Sequence, residues 1–120
     1  MTRDDVARWL DAYIDAWRRY EPDAIGDLFS EEAEYRYSPF GEPLHGRAAI
    51  VADWLANQDD PGTWTADYRP FAVEGPDAVA VGTTRYDDGE GQREYHNVFL
   101  CRFDDEGRCA SFTEIYFKRR

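Results

Sequence analysis

Residues Tyr95–Lys118 read YHNVFLCRFDDEGRCASFTEIYFK, and this stretch decides the fold. Two runs with a period of two flank Asp104-Asp105-Glu106-Gly107, a cluster of turn formers. A period of two marks a strand with two distinct faces, and Asp and Gly supply the local bonds and backbone freedom a reversal needs. The stretch therefore predicts two antiparallel strands, Gln92 to Phe103 and Arg108 to Lys118. If Asp104 to Gly107 is the whole loop, Phe99 faces Phe112, Asn97 faces Glu114 and Tyr95 faces Tyr116. One face is then aromatic, with an acid-amide pair in its middle.

The same period extends upstream through Trp64 to Glu74 and Ala78 to Tyr86, with Gly75-Pro76-Asp77 and Asp87-Asp88-Gly89-Glu90-Gly91 as turns. Short links without an intervening helix predict an antiparallel meander. Further upstream the period is helical. Val6, Trp9, Leu10, Tyr13, Ile14 and Trp17 form one apolar stripe, Thr2 and Asp5 fit a capping box, and Asp4/Arg8 and Asp15/Arg19 pair one turn apart. Glu21-Pro22 ends this helix, and Asp23 starts a short second one carrying Ile25, Leu28 and Phe29. Glu34 to Tyr37 reads as a short strand, Ser38 to Pro43 as a loop, and Gly46 to Asn57 as a third helix with Ile50 and Trp54 on one face. A polar break from Asn57 to Gly62 precedes the meander. With no repeat, linker or low-complexity tract, residues 1–120 read as one α+β domain, its N-terminal helices packed on a curved, mainly antiparallel sheet around a pocket.

Composition narrows the function. The chain is 42% hydrophobic and 16% aromatic, enough to fill a core without disulfides or metal. Its 25 acidic against 14 basic side chains, a net charge of -11, repel phosphate backbones and anionic lipid. Neither a nucleic-acid partner nor a membrane is therefore expected. No apolar run approaches the roughly 18 residues of a membrane span, and Met1 to Asp5 has no signal-like apolar character, so a cytoplasmic location is expected. Cys101 and Cys109 flank the last turn and are expected as free thiols. Two Cys and two His without metal spacing, and no Gly-rich phosphate loop, predict neither metal nor cofactor.

The acid-amide pair is the candidate chemistry. A carboxyl inside an apolar wall has its pKa raised by desolvation, which suits a general acid or base. In the competing reading Glu114 lies on a wet face, because Glu is rarely buried unpaired. Tyr95, Phe99, Phe112 and Tyr116 would form the wall around it. Tyr13, Tyr35 and Tyr37 carry hydroxyls that need partners when buried, and are further pocket candidates. Trp9, Trp17 and Trp54 read first as core; Trp17 and Trp54, with Phe40, are also candidate pocket walls. Arg85 and Asp87 stand at i and i+2 and share one side of a strand, unless Asp87 merely opens the following turn. The opposite row of the hairpin, His96, Val98, Leu100, Ile115 and Phe117, is also largely apolar. Helices cover one face, so a homodimer through the open sheet face is expected, with His96 on it in a structural role. His45 is expected at the surface.

The order of elements, with Ser-Pro-Phe-Gly-Glu-Pro-Leu-His-Gly-Arg-Ala-Ala-Ile before the third helix and Phe-Asp-Asp-Glu-Gly-Arg in the last hairpin, resembles the SnoaL-like branch of the nuclear-transport-factor-2-like superfamily. The resemblance covers nearly the whole chain and rests on Asp23 to Phe29, Pro39 to Ile50 and Phe103 to Glu114. It implies a cone-shaped α+β barrel with a ligand cavity, usually dimeric. The superfamily holds ketosteroid isomerases, polyketide cyclases, an epoxide hydrolase, scytalone-type dehydratases and binding modules.

The resemblance carries further residue by residue. Tyr13 falls where ketosteroid isomerases place an oxyanion-hole tyrosine, and Ser38 where they place a carboxylate base. A serine without its own base cannot abstract a proton next to a carbonyl, so steroid isomerisation is not expected. Thr84 to Asp87 is similar to the arginine-aspartate strand of limonene epoxide hydrolase, with Glu114 near its final-strand aspartate and Tyr35 and Tyr37 near its water-holding tyrosine and asparagine. Polyketide cyclases of the group use one acidic residue among apolar walls, a role open to Glu114 alone. Three readings follow. The first is a cofactor-free isomerase, cyclase or hydrolase acting on a small cyclic or polyketide-like molecule, with Glu114 carrying the proton, Asn97 orienting it and Tyr13 binding an oxyanion. The second is a non-catalytic binding protein for an apolar ligand, favoured by the missing carboxylate at Ser38. The third is an assembly module using the sheet face.

Overall fold

Thr2 opens the first helix through a reciprocal cap: its hydroxyl accepts the Asp5 amide, and the Asp5 carboxylate accepts the Thr2 amide. The computed structural model describes residues 1–120. Helix α1 spans Arg3–Arg19 and buries Val6, Trp9, Leu10, Tyr13 and Ala16. Arg19 bridges to Asp15 at 2.8 Å as expected, but Arg8 pairs with Asp5 and not with Asp4. Tyr20 ends the helix in the left-handed conformation, φ 51°. Helix α2, Pro22–Gly26, starts on proline, whose fixed φ suits the first helical position. It is shorter than the sequence predicts. Phe29 opens strand β1, Phe29–Arg36, because the Cys109 amide donates to the Leu28 carbonyl and draws this segment into the sheet.

After the loop at residues 38–43 come a two-residue strand β2, Leu44–His45, which the sequence did not signal, and helix α3, Arg47–Ala56, which buries Ile50 and Trp54. The meander follows as β3 (Trp64–Glu74), β4 (Asp77–Asp87), β5 (Gln92–Phe103) and β6 (Cys109–Lys118). The six strands are ordered β2-β1-β6-β5-β4-β3. Every pairing is antiparallel except β1 with β6, which only the whole intervening chain can connect.

The β5–β6 register differs from the expected one. The Asp104 carboxylate accepts the amides of Glu106 and Arg108, and Gly107 takes φ 81°, so Arg108 joins the turn and Phe103 opposes Cys109. A bulge follows, leaving Ala110 as the extra residue, and Arg102 opposes Ser111. Consequently Phe99 faces Glu114, Asn97 faces Tyr116, Cys101 faces Phe112 and Tyr95 faces Lys118. Two successive one-residue shifts restore the alternation, so the predicted face survives while every predicted pair changes.

The core lies between the helices and the concave face of the sheet, with Phe29, Phe99, Phe112, Leu10, Ile25 and Ile50 fully buried. On this face β4 presents only small side chains from Ala78 to Gly82, leaving room above them. At Gly82 a Cβ would lie 2.0 Å from the Asp67 carbonyl oxygen, so β3 and β4 approach there only because the residue is glycine. On the outer face no element covers Val81, Val98, Leu100, Ile115 or Phe117; Leu100 is 43% and Phe117 68% exposed. No helix is long and apolar enough to cross a membrane.

Candidate functional site

The helices and the sheet enclose a cavity of about 630 Å³. All eight tyrosines of the chain line it, whereas Phe99 is the one lining residue among seven phenylalanines. The tyrosines suit this place physically, because a phenol ring packs its body against apolar neighbours and turns its hydroxyl to the cavity. Of the phenylalanines, Phe29, Phe103 and Phe112 lie in the core behind the lining and Phe40, Phe71 and Phe117 at the surface.

Glu114 enters from β6 and Asn97 from β5, and the Asn97 Nδ2 donates to Glu114 Oε1 at 3.5 Å. Burial pushes the Glu114 carboxyl up to about 7. A carboxyl in that range exists in both forms at neutral pH and can both take and return a proton. The Asn97 carbonyl accepts the Thr84 hydroxyl at 2.7 Å, and Thr84 in turn bonds to the Tyr68 hydroxyl.

Across the cavity, from α1 and β1, the Tyr13 and Tyr35 hydroxyls lie 3.2 Å apart. Burial holds both phenols well above their ordinary range, reinforced at Tyr13 by Tyr35 and then Glu114, and at Tyr35 by Glu114 and then Tyr37, against a smaller lowering from its bond to Tyr13. They stay neutral donors, the state needed to hydrogen-bond a developing oxyanion. The Tyr37 hydroxyl donates to Asp53; burial, then that carboxylate, raise its pKa.

The more exposed lining residues form the mouth. Trp17 Nε1 donates to Asp59 at 3.0 Å, and the Asp59 amide donates to the Tyr20 hydroxyl at 2.9 Å. The Arg93 guanidinium stacks 5.1 Å from the Tyr86 ring centre and is bridged to Asp88 and Glu90. Tyr86, Tyr95 and Tyr116 make edge-to-face contacts at 5.8 and 5.7 Å across three neighbouring strands.

The structure thus brings Glu114, Asn97, Tyr13, Trp17, Tyr35, Tyr37, Trp54, Tyr95, Phe99 and Tyr116 around one cavity. Four expected site residues lie elsewhere. Phe112 is fully buried behind the lining, stacked on Tyr13 at 5.6 Å and on Tyr35 at 4.8 Å, so it supports the wall without forming it. Phe40 is fully exposed on the loop at residues 38–43, which also carries the exposed Ser38. Arg85 and Asp87 do share one side of β4, but it is the outer side: Thr84 and Tyr86 take the inward positions, and Arg85 pairs with Glu94 at 3.4 Å. The Arg85 and Asp87 side chains therefore do not reach the cavity that holds Glu114.

Tyr20, Asn57, Asp59, Tyr68, Thr84, Tyr86 and Arg93 line the cavity without having been expected there. The alternation Ala78, Ala80, Gly82, Thr84, Tyr86 carried a readable signal for the β4 pair. Asn57 and Asp59 sit in the break after α3, where no periodicity operates. His45 lies 3.4 Å from Glu32 at the surface, and His96 is exposed on the outer face. Cys101 and Cys109 are buried free thiols, and burial raises the Cys109 pKa. No group of three or more His, Cys, Asp or Glu side chains converges in a metal-holding arrangement.

Comparison with known proteins follows this architecture. No curated protein matches the chain. A nuclear transport factor 2-like protein of unknown function from Burkholderia xenovorans superposes with a TM-score of 0.71 at 19% identity, over 94% of this chain and 83% of that one. A second such protein, from Burkholderia pseudomallei, gives 0.72 at 16% identity, over 98% and 92%. An epoxide hydrolase of the limonene epoxide hydrolase-like type from Mycobacterium tuberculosis gives 0.71 at 13% identity, over 96% and 84%. At these identities the likeness is one of fold. The SnoaL-like domain family matches residues 10–112, most of the chain, and helices on a curved six-stranded sheet give it the fold of these nuclear transport factor 2-like structures: the protein belongs to the SnoaL-like domain family.

Proposed function

We propose that the protein is a cofactor-free acid-base enzyme, of isomerase, cyclase or hydrolase type, acting on a small cyclic or polyketide-like molecule. One observation carries the reading: Glu114 stands in an aromatic cavity with its carboxyl pushed up to about 7 by burial and an oriented amide beside it. In the reaction Glu114 takes a proton from an activated C–H or from water and returns it elsewhere. Asn97 holds the carboxyl in place, and the neutral Tyr13–Tyr35 pair donates to the oxygen on which charge develops. The hydroxyls around the wall suit a ligand with several oxygen atoms better than a hydrocarbon. The outward placement of Arg85 and Asp87, with Arg93 engaged by Asp88 and Glu90 and Asp59 by Trp17, sets a proton shuttle on Glu114 alone ahead of the three-residue epoxide-opening scheme.

The outward placement of Arg85 and Asp87 also favours a second reading, binding of an apolar or cyclic ligand without chemistry. Thermal unfolding against a panel of aromatic polyketides, steroids, terpenoid epoxides and fatty acids identifies the ligand class, since a ligand at 100 times its Kd adds about 2.7 kcal/mol. Turnover of the stabilising ligand is then compared between wild type and Glu114→Gln. Loss of at least about a hundredfold in the variant, with Arg85→Ala unaffected, supports the enzyme. Tight binding with no turnover in either protein leaves the binding module.

We further propose that the uncovered outer face pairs two copies as a homodimer and that the protein works in the cytoplasm. The exposed apolar row on that face and the two free buried thiols support these readings.

A further inference from the structure

Thr84 and Asn97 are the two polar residues among the buried ones, apart from the aromatic hydroxyls and thiols of the core. Each costs free energy to bury unless it is bonded, and these two are bonded to each other. They form the middle of a chain that takes one residue from each of four neighbouring strands: Tyr68 on β3, Thr84 on β4, Asn97 on β5 and Glu114 on β6.

The polarity of the chain follows from counting protons. A hydroxyl has one. Thr84 gives its proton to Asn97 Oδ1, so in the Thr84–Tyr68 bond the phenol is the donor. With its carbonyl occupied, Asn97 turns its NH2 group to Glu114. An N–H facing a carboxyl favours the ionised form. Were the amide reversed, its carbonyl would face Glu114 and hold the protonated acid. Gly82 makes the chain possible: it opposes both Tyr68 and Asn97, and a Cβ there would lie 2.6 Å from the Tyr68 ring.

We propose that Tyr68 and Thr84 are positioning residues that lock the Asn97 amide with its NH2 toward Glu114 and so hold Glu114 ready to accept a proton. The proposal rests on the reading of Glu114 as the proton carrier. The other titratable groups that act on Glu114 are neutral phenols: Tyr13 from α1, Tyr35 and Tyr37 from β1, Tyr68 from β3 and Tyr86 from β4. The charged groups around the cavity are engaged elsewhere, Asp53 by Tyr37, Asp59 by Trp17, and Arg93 from β5 by Asp88 and Glu90. The Asn97 N–H is thus the donor on the carboxyl, and whatever turns it changes the proton affinity of Glu114.

The test is a carbon-13 NMR titration of the Glu114 carboxyl in the ligand-free protein, in wild type and three variants. Thr84→Val keeps the shape and removes the donor to Asn97; the Glu114 midpoint rises, by about 1 pH unit or tenfold in proton affinity. Tyr68→Phe removes the phenol that points the Thr84 proton at Asn97, and the midpoint rises by less. Thr84→Ser restores the hydroxyl and the wild-type midpoint. Unchanged midpoints in Thr84→Val and Tyr68→Phe overturn the proposal, and a rise in Thr84→Val alone removes Tyr68 from it. Melting curves of the same variants show that each is folded at the pH of measurement. Because the titration needs no substrate, it decides the chain even if Glu114→Gln retains turnover and the enzyme reading fails.

Discussion

Asn97 and Glu114 meet on the diagonal of the β5–β6 ladder: Asn97 directly opposes Tyr116, Glu114 directly opposes Phe99, and the amide nitrogen reaches the carboxyl oxygen at 3.5 Å. Diagonal neighbours on one sheet face remain within reach of long side chains. The arrangement leaves the carboxyl between an aromatic ring and a single donor, so desolvation outweighs hydrogen bonding and the pKa rises.

That balance makes stability depend on pH in a definite direction. The folded-state pKa of Glu114, about 7, lies above the unfolded value of roughly 4.3, so the native state holds a proton that the unfolded chain releases. The contribution is fully present below the unfolded pKa and is lost as pH rises through the folded one. Urea unfolding of wild type between pH 4.5 and 8 should show a loss of about 2 to 3 kcal/mol from this group, absent in Glu114→Gln. Equal slopes in the two proteins would show that Glu114 is not desolvated.

Gly82→Ala should be among the most disruptive of single-methyl additions. The new Cβ meets backbone on the neighbouring strand, at 2.0 Å from the Asp67 oxygen and 2.8 Å from the Tyr68 Cα, and neither can rotate away. We expect a loss of about 1–3 kcal/mol or more by denaturant unfolding.

Two phenylalanines expected at the site should separate cleanly. Phe112→Ala removes a fully buried ring that stacks on Tyr13 and Tyr35, and should cost about 3–5 kcal/mol. Phe40→Ala, on a fully exposed ring, should stay within about 0.5 kcal/mol. Chemical unfolding of both variants checks the contrast.

The outer face supplies a test of assembly. Leu100→Asp places a charge beside Val79 and Thr113 on the uncovered side of the sheet, facing away from the cavity. Sedimentation should show a dimer for wild type and a monomer for the variant, with the circular dichroism spectrum unchanged. A wild-type monomer at micromolar concentration would refute pairing through this face.

Much of this protein is legible in the chain itself. The Thr2–Asp5 cap, the buried stripe of α1, the bounds of β3 and β5 and the turns between strands depend on neighbours close in sequence, where periodicity and turn chemistry act directly. The grouping of one face of the last hairpin was legible too, because alternation places Asn97, Phe99, Phe112 and Glu114 on one side whether the loop has four residues or five with a bulge. That this side faces the helices was decided by packing. What alternation does not specify is which residues pair. The Asp104 turn and the extra Ala110 decided that, through backbone bonds that composition does not encode. Nor does any local pattern place Tyr68, Thr84 and Asp59 beside Glu114, because those contacts span distant parts of the chain and exist only once β3, β4 and the segment after α3 have packed around the cavity. Arg85 and Asp87 show the converse: their spacing was read correctly, but which side of β4 faces the helices is settled by burial of the whole strand, and that burial turned them out to solvent.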